Sequence, residues 1–321
     1  MAASRLTLAT GRRHDTKFLL NGEVRVRDFE IDCIDAGPAP FPIFRDMVND
    51  ISYDIGEQAF SHYLIAKDMG KPLTAIPVFP SRFFPQLGVT VNRQAGIREP
   101  ADLVGKKVGL PSFGYNPGAW LRGILVHQYE VPVEKIIWVE EAEDPFFGRL
   151  NYRRPQRFTV EQMSGLQTMG ATSGPPRCVP LETGQIDAFI GPGGGFPLVE
   201  TTKRLFADPY QEIDAYLQRT SVFPINTVMT LKEEVVKAHP QLTRRLMEAF
   251  YEAKIRYQAE VLTGAETIHM DIELGELRKR GLFPDQYGME PNLPAIRMMI
   301  QYCYEQGLIR TLYKPEDLFV S

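Results

Sequence analysis

Strand-like and helix-like segments alternate along most of this chain, and that alternation limits the folds open to it. Residues 5–9 and 29–34 read as strands, and 41–49 places Ile43, Phe44, Met47 and Val48 at helical spacing. Residues 53–55 read as a short buried strand, 60–69 as a helix, and 73–78 and 88–91 as further strands. A helix opens near Pro117, with Asn116 as its expected N-cap and Trp120, Leu121, Ile124 and Leu125 on its apolar face. From Glu140 to Pro180 the pattern weakens into what reads as an irregular insertion, and it recovers over 181–190. A long helix follows Pro240, with Leu242, Leu246, Phe250, Ala253 and Tyr257 on its core face. Short strands separated by amphipathic helices build helix-covered sheets, so the predicted class is α/β.

Composition narrows the function classes. The 321 residues are 44% hydrophobic and 24% charged, enough apolar material for a packed core and about two domains. The net charge is −4 and no Lys/Arg block stands out, which counts against a nucleic-acid partner. Cys33, Cys178 and Cys303 are far apart and form neither a CxxC pair nor a zinc spacing, a pattern that fits a reducing compartment. The start MAASRLTLATGRRHD has no apolar stretch of the kind a secretory signal needs, and no run approaches the ~18 apolar residues of a membrane span. A cytoplasmic location without membrane association is the expectation.

Several runs carry a more specific signal. AIPVFPSRFF (75–84), VTVNRQAGIREPADLVGKKVGLP (89–111), GAWLRGIL (118–125), ETGQIDAFI (182–190), VFPIN (222–226), YGMEPNLPAI (287–296) and YCYEQGL (302–308) together resemble the bacterial 4,5-dihydroxyphthalate decarboxylase family. DLVGKKVG and GQIDA are widespread in the wider fold group, whereas FPSRFF with WLRGIL and FPI is more selective. The resemblance implies a two-lobe, type II periplasmic solute-binding-protein-like fold. Lobe one would hold residues 1–90 plus 225–321 and lobe two residues 91–224. The chain would cross near 88–92 and 220–228, and the ligand would lie in the cleft. Three places depart from the family pattern. Arg12, Arg13, His14, Asp15 and Thr16 stand where the family carries an acidic, tyrosine-containing run followed by Asp-Arg-Thr. Asn226 and Thr227 stand where Met-His is frequent, and His62 where a small residue is usual. These changes of charge and proton capacity point toward a different substrate.

The implied activity is decarboxylation of a hydroxylated aromatic acid without a cofactor. Such a reaction needs cations for carboxylates, a proton donor for the ring carbon and an acceptor for the phenol. The expected catalytic residues are His14, Glu57, His62 and Arg82. Arg82 can grip a carboxylate bidentately, with an interlobe salt bridge as the plainer reading. Glu57 can accept from a phenol or serve as a cap, and the two histidines suit proton transfer near neutrality. The expected substrate-binding residues are Arg12, Ser81, Tyr115, Asn116, Arg122, Gly193 and Asn226. Arg122 lies near a helix N-terminus, and Gly193 sits in a glycine-rich loop that can approach a ligand. Of Arg12 and Arg13, at least one reads as solvated. His127 and His239 read as structural, and the cluster Arg149, Arg153, Arg154 and Arg157 as a solvated face, a lid or a subunit contact. No resident metal is expected, although His14, His62 and Glu57 would make a ligand set if their loops converge. A solute-binding or sensing protein for an aromatic acid, and another lyase resembling chorismate dehydratase, remain alternatives. A homodimer is an expectation from size alone.

Overall fold

The computed structural model describes residues 5–13, 15–150, 152, 154–166, 177–191, 195–265, 267–269 and 272–320. In chain order the first elements are β1 (Leu6–Thr10), α1 (Thr16–Leu20), β2 (Ile31–Asp35), α2 (Phe41–Asn49), β3 (Ile55–Ala59), α3 (Phe60–Asp68) and β4 (Leu73–Ile76). Next come β5 (Val89–Asn92), β6 (Lys107–Leu110), α4 (Asn116–Tyr129), β7 (Ile137–Glu141), β8 (Thr159–Met163), α5 (Val179–Glu182), β9 (Ala188–Ile190), β10 (Thr202–Arg204) and α6 (Pro209–Thr220). The last part holds β11 (Thr227–Lys232), α7 (Glu233–Ala238), α8 (Leu242–Thr263), the short pair β12 (Ile268–His269) and β13 (Ile272–Glu273), α9 (Leu274–Lys279) and α10 (Leu293–Glu305).

The chain divides into two compact units. Unit 1 is Met1–Arg82, Ile225–Ile300 and Thr311–Ser321, and unit 2 is Phe83–Pro224 and Gln301–Arg310. The chain therefore passes between units at four points, where sequence reading placed two. The end of α10 groups with unit 2 because Tyr302 packs edge-on against Trp120 and Gln306 bonds to α4.

Unit 1 is built on the sheet β2-β1-β3-β11-β4. β1 pairs parallel with β2 and β3, and β11 runs antiparallel to β3 and β4. Central β3 is buried throughout. Helix α8 lays Leu242, Leu246, Phe250, Ala253 and Tyr257 into the core, all of them buried as their spacing predicts. Unit 2 is built on β10-β5-β9-β6-β7-β8. Here β6, β7, β8 and β9 run parallel, and β5 is antiparallel to β9. Val139, Leu181, Ile186, Phe189 and Phe196 form one core cluster of this sheet.

Two elements differ from the sequence reading. The strand expected at 53–55 begins at Ile55 and runs to Ala59, which puts Glu57 inside the strand instead of after it. The insertion supplies an edge strand, β8, which pairs with β7 from Thr159 to Met163; its mostly half-exposed residues leave little periodic signal. Among the described residues, no helix is long and apolar enough to cross a membrane.

Helix α4 depends on a missing side chain. A Cβ at Gly123 would fall on the ring of Tyr302. Gly123→Ala is therefore expected to lower stability by about 1–3 kcal/mol through overpacking. A thermal melt of the variant beside Tyr302→Leu checks this, because the double variant should recover part of the loss.

Candidate functional site

The loop after β1 is tied down by side chains of unit 1. Thr16 staples it: its hydroxyl donates to the Gly11 carbonyl at 2.6 Å and accepts from the Arg13 N–H at 3.0 Å. The loop folds back on itself, and a Cβ at Gly11 would meet the Arg13 guanidinium and lie 3.2 Å from the Gly37 carbonyl. Arg12 and Arg13 consequently part company. Arg12 is about half exposed and pairs with Asp35 at 2.5 Å, whereas Arg13 turns inward onto Glu57.

Glu57 is fully buried. One carboxylate oxygen accepts from Thr10 Oγ1 at 2.7 Å and from the Gly11 N–H at 3.0 Å; the other faces Arg13. The carboxylate expected to receive a phenolic proton is thus engaged by β1 and its loop. Burial pushes the Arg13 guanidinium down to about 10, opposed by the nearby Asp15 and Tyr287.

Asp15, absent from the sequence-predicted site, lies next in this cluster. It is buried, and its Oδ2 accepts from the Tyr287 hydroxyl. Burial raises its carboxyl to about 6; the Tyr287 hydrogen bond opposes that rise and the charge of Asp285 adds to it. Tyr287 is raised well above the ordinary phenol value by burial and by Asp15. Only the string Arg-Arg-His-Asp could have flagged Asp15, and nothing in it points to a tyrosine 272 positions away.

Arg82 is buried in the same unit. Its Nη2 donates to the Gln286 carbonyl at 3.1 Å and to Asn292 Oδ1, and the guanidinium lies 5.3 Å from the centroid of Phe79. Asn292 in turn donates to the carbonyls of Gln286 and Gly288 at 3.0 and 2.7 Å. Arg82 thereby anchors the 286–292 segment that carries Tyr287. Burial lowers it to about 10.

His62 sits in the first turn of α3, fully buried, with its ring edge-on to Phe44. Burial pushes it down to about 3, so it is a neutral imidazole at physiological pH. Ser81, Asn226 and Thr227 form one clasp: Ser81 Oγ lies 2.9 Å from Thr227 Oγ1 and accepts from Asn226 Nδ2 at 3.0 Å. His14 and Gly193 lie outside the described residues.

In unit 2, α4 begins at Asn116, so the N-cap is Tyr115 and not Asn116 as the sequence suggested. Asn116 is fully buried, and Tyr115 stacks parallel to Phe146 at 6.0 Å. Arg122 is also fully buried. It donates to Gln306 Oε1 at 2.7 Å and to the Phe113 carbonyl at 2.6 Å, and it lies 4.0 Å from the Phe113 ring centroid. Its Nη1 and the Tyr152 hydroxyl are buried without a hydrogen-bond partner among the described residues. Burial lowers Arg122 to about 10. Arg154, read from sequence as part of a solvated face, pairs with buried Glu140 at 2.7 Å and with Asp144 at 3.0 Å. Among the described residues, no group of three or more His, Cys, Asp or Glu is placed to hold a metal.

Comparison with known proteins fits this architecture. The chain is 28% identical over 332 aligned positions to 4,5-dihydroxyphthalate decarboxylase of Comamonas testosteroni, covering 99% of this chain and 97% of that protein. The chain is a homologue of that decarboxylase. A second 4,5-dihydroxyphthalate decarboxylase, from Pseudomonas putida, is 29% identical over 58% of this chain and 70% of its own length. No protein-family model matches the sequence. The alkanesulfonate-binding protein of Xanthomonas axonopodis pv. citri superposes with a TM-score of 0.57 at 14% identity, covering 100% of this chain and 99% of its own. The decarboxylase homologue therefore has the two-lobe, type II periplasmic-binding-protein fold with two mixed sheets.

Two outcomes are expected from these charges. Glu57→Gln strands Arg13 as a buried cation and should cost about 3–5 kcal/mol, with Glu57→Gln/Arg13→Met costing less; chemical denaturation of the three proteins checks it. For Asp15, the folded carboxyl holds its proton to about pH 6 while the unfolded one releases it near the ordinary value of 3.8. Stability should therefore fall as pH rises through that window, by about 3 kcal/mol in all. Asp15→Asn removes the penalty, so the variant should match the parent near pH 4 and melt higher at pH 7.

Proposed function

We propose that this chain is a carboxy-lyase acting on a hydroxylated, phthalate-like aromatic acid, with conversion of 4,5-dihydroxyphthalate to protocatechuate as the lead reaction. The observation that carries this reading is the full-length match to the Comamonas testosteroni decarboxylase. The side chains are compatible with it. Unit 1 buries Arg82, and unit 2 buries Arg122, whose Nη1 has no hydrogen-bond partner among the described residues. Guanidinium groups held in fixed orientations are suited to planar carboxylates.

The chemistry follows from where the electrons go. A ring hydroxyl ortho or para to the leaving carboxylate donates density to the ipso carbon. That carbon takes a proton and the ring becomes a dienone-like intermediate. The carbon–carboxylate bond then breaks, its electron pair restores the aromatic ring, and carbon dioxide departs. In sum, one carboxylate and one proton become one carbon–hydrogen bond and carbon dioxide. General acid–base assistance to such a step contributes about 10²–10⁴-fold, and holding the acid in one orientation adds to that.

The purified protein, incubated with 4,5-dihydroxyphthalate with and without a chelator, is expected to convert it to protocatechuate, followed by liquid chromatography. Turnover equal in both arms fits the residue set described; loss of turnover with chelator would assign a metal to the reaction. Absence of turnover on this and on other hydroxylated benzene carboxylates would overturn the reading.

A further inference from the structure

The decarboxylation proposed above consumes one proton per turnover, so the protein needs an acid that can be reloaded from water. Among the described residues of unit 1, Glu57 and His62 are unsuited to that task. Glu57 is occupied by Thr10, Gly11 and Arg13. His62 is embedded against Phe44 as a neutral ring. Asp15, buried like them, differs in belonging to the loop that carries Arg13 and in having one carboxyl oxygen hydrogen-bonded to the Tyr287 hydroxyl.

Asp285 lies two positions before Tyr287 in the chain. It is buried and accepts from Gln258 Nε2 at 2.8 Å. It also lines a groove of about 190 Å³ together with Tyr257, Leu262, Leu274 and Phe283. Leu262 and Phe283 are 80% and 50% exposed, so the groove opens to solvent. Asp285 is thus a buried carboxyl group at the wall of a solvent-open groove, and its charge acts on Asp15 and Tyr287.

Resting on the decarboxylase reading, we infer that Asp15, hydrogen-bonded by Tyr287, is the proton donor to the ring carbon, and that Asp285 is the positioning residue that keeps it charged with protons from the groove. The donor cycle balances. Asp15 gives its proton to the ipso carbon and becomes a carboxylate stabilised by the Tyr287 hydroxyl and by Arg13. A proton from water, entering past Asp285, restores the acid once carbon dioxide has left. Among the described residues, the charged and titratable groups around the pair are Arg13 on the same loop, Arg82 in the segment after β4, Asp285 on the 285–292 segment, and Lys254 of α8, which lies 5.9 Å from the Tyr287 ring centroid.

The test uses the full chain, 4,5-dihydroxyphthalate and the variants Asp15→Asn, Tyr287→Phe and Asp285→Asn. Asp15→Asn should lower kcat by at least about 10²-fold while substrate binding by calorimetry stays within a few fold and the melting temperature at pH 7 does not fall. In the parent, kcat should fall as pH rises through the titration of the pair. Asp285→Asn removes a neighbouring negative charge that holds the proton on, so the fall should move to lower pH, and kcat should change more than KM. Tyr287→Phe should shift the same limb without abolishing binding. An Asp15→Asn protein that keeps kcat within about threefold of the parent would overturn the inference and leave the decarboxylase reading standing. A parent protein that turns over no hydroxylated benzene carboxylate would instead overturn the reading, and the inference with it.

Discussion

A carboxylate sealed from water must be neutralised by the chain itself, and the Glu57 carboxylate does this by seizing the loop that follows β1. Hydrogen bonds from Thr10 and Gly11 fix one oxygen, and the Arg13 guanidinium covers the other. Breaking that arrangement would leave a buried charge of either sign, so the loop has little freedom. Its path then dictates the rest of the cluster. With Arg13 turned in, Arg12 is turned out to Asp35, and Asp15 is delivered into the interior at the start of α1. The 285–292 segment closes over it, held by Arg82 and Asn292.

Arg82 and Arg122 share a design with a cost and a use. Each is desolvated enough to lower its pKa, and each spends part of its donor set on uncharged oxygens: Arg82 on Gln286 and Asn292, Arg122 on Gln306 and the Phe113 carbonyl. Carbonyl partners orient a guanidinium without cancelling its charge. An anion arriving beside such a group meets a cation already desolvated and already pointed, which is how preorganised sites gain over flexible surface charges. An arginine paired with a carboxylate, such as Arg154 on Glu140 and Asp144, is instead spent on structure.

How far the sequence could be read follows from the range of each interaction. The α8 face was legible because five apolar residues at helical spacing need no distant partner to explain them. The α/β class and the decarboxylase resemblance were legible for the same local reason. Strand β3 was misplaced because Ile-Gly-Glu-Gln-Ala violates the apolar rule for a central, doubly buried strand. Glu57 sits at the centre of that violation, its charge met by Thr10, Gly11 and Arg13 from another part of the sequence. The choice between Arg12 and Arg13 depends on Asp35 and Glu57 together, and the Asp15–Tyr287 bond joins opposite ends of the chain. No window of sequence contains either relationship.

The three departures from the decarboxylase pattern can now be weighed by what surrounds them. Asn226 and Thr227 are taken up by a clasp with Ser81 that holds two backbone segments together. His62 is enclosed by α2 and α3 as a neutral ring, where a change of size matters more than a change of charge. The loop of Arg12 to Thr16 is different in kind. It places a largely covered cation near a buried carboxyl that burial makes a weaker acid, and that carboxyl is shared with a tyrosine from another part of the fold. A shift in substrate among aromatic acids is a shift in where negative charge and the accepting carbon lie. Of the three places, this loop alone sets both the position of a cation and the position of a proton, so it is where such a shift would be written.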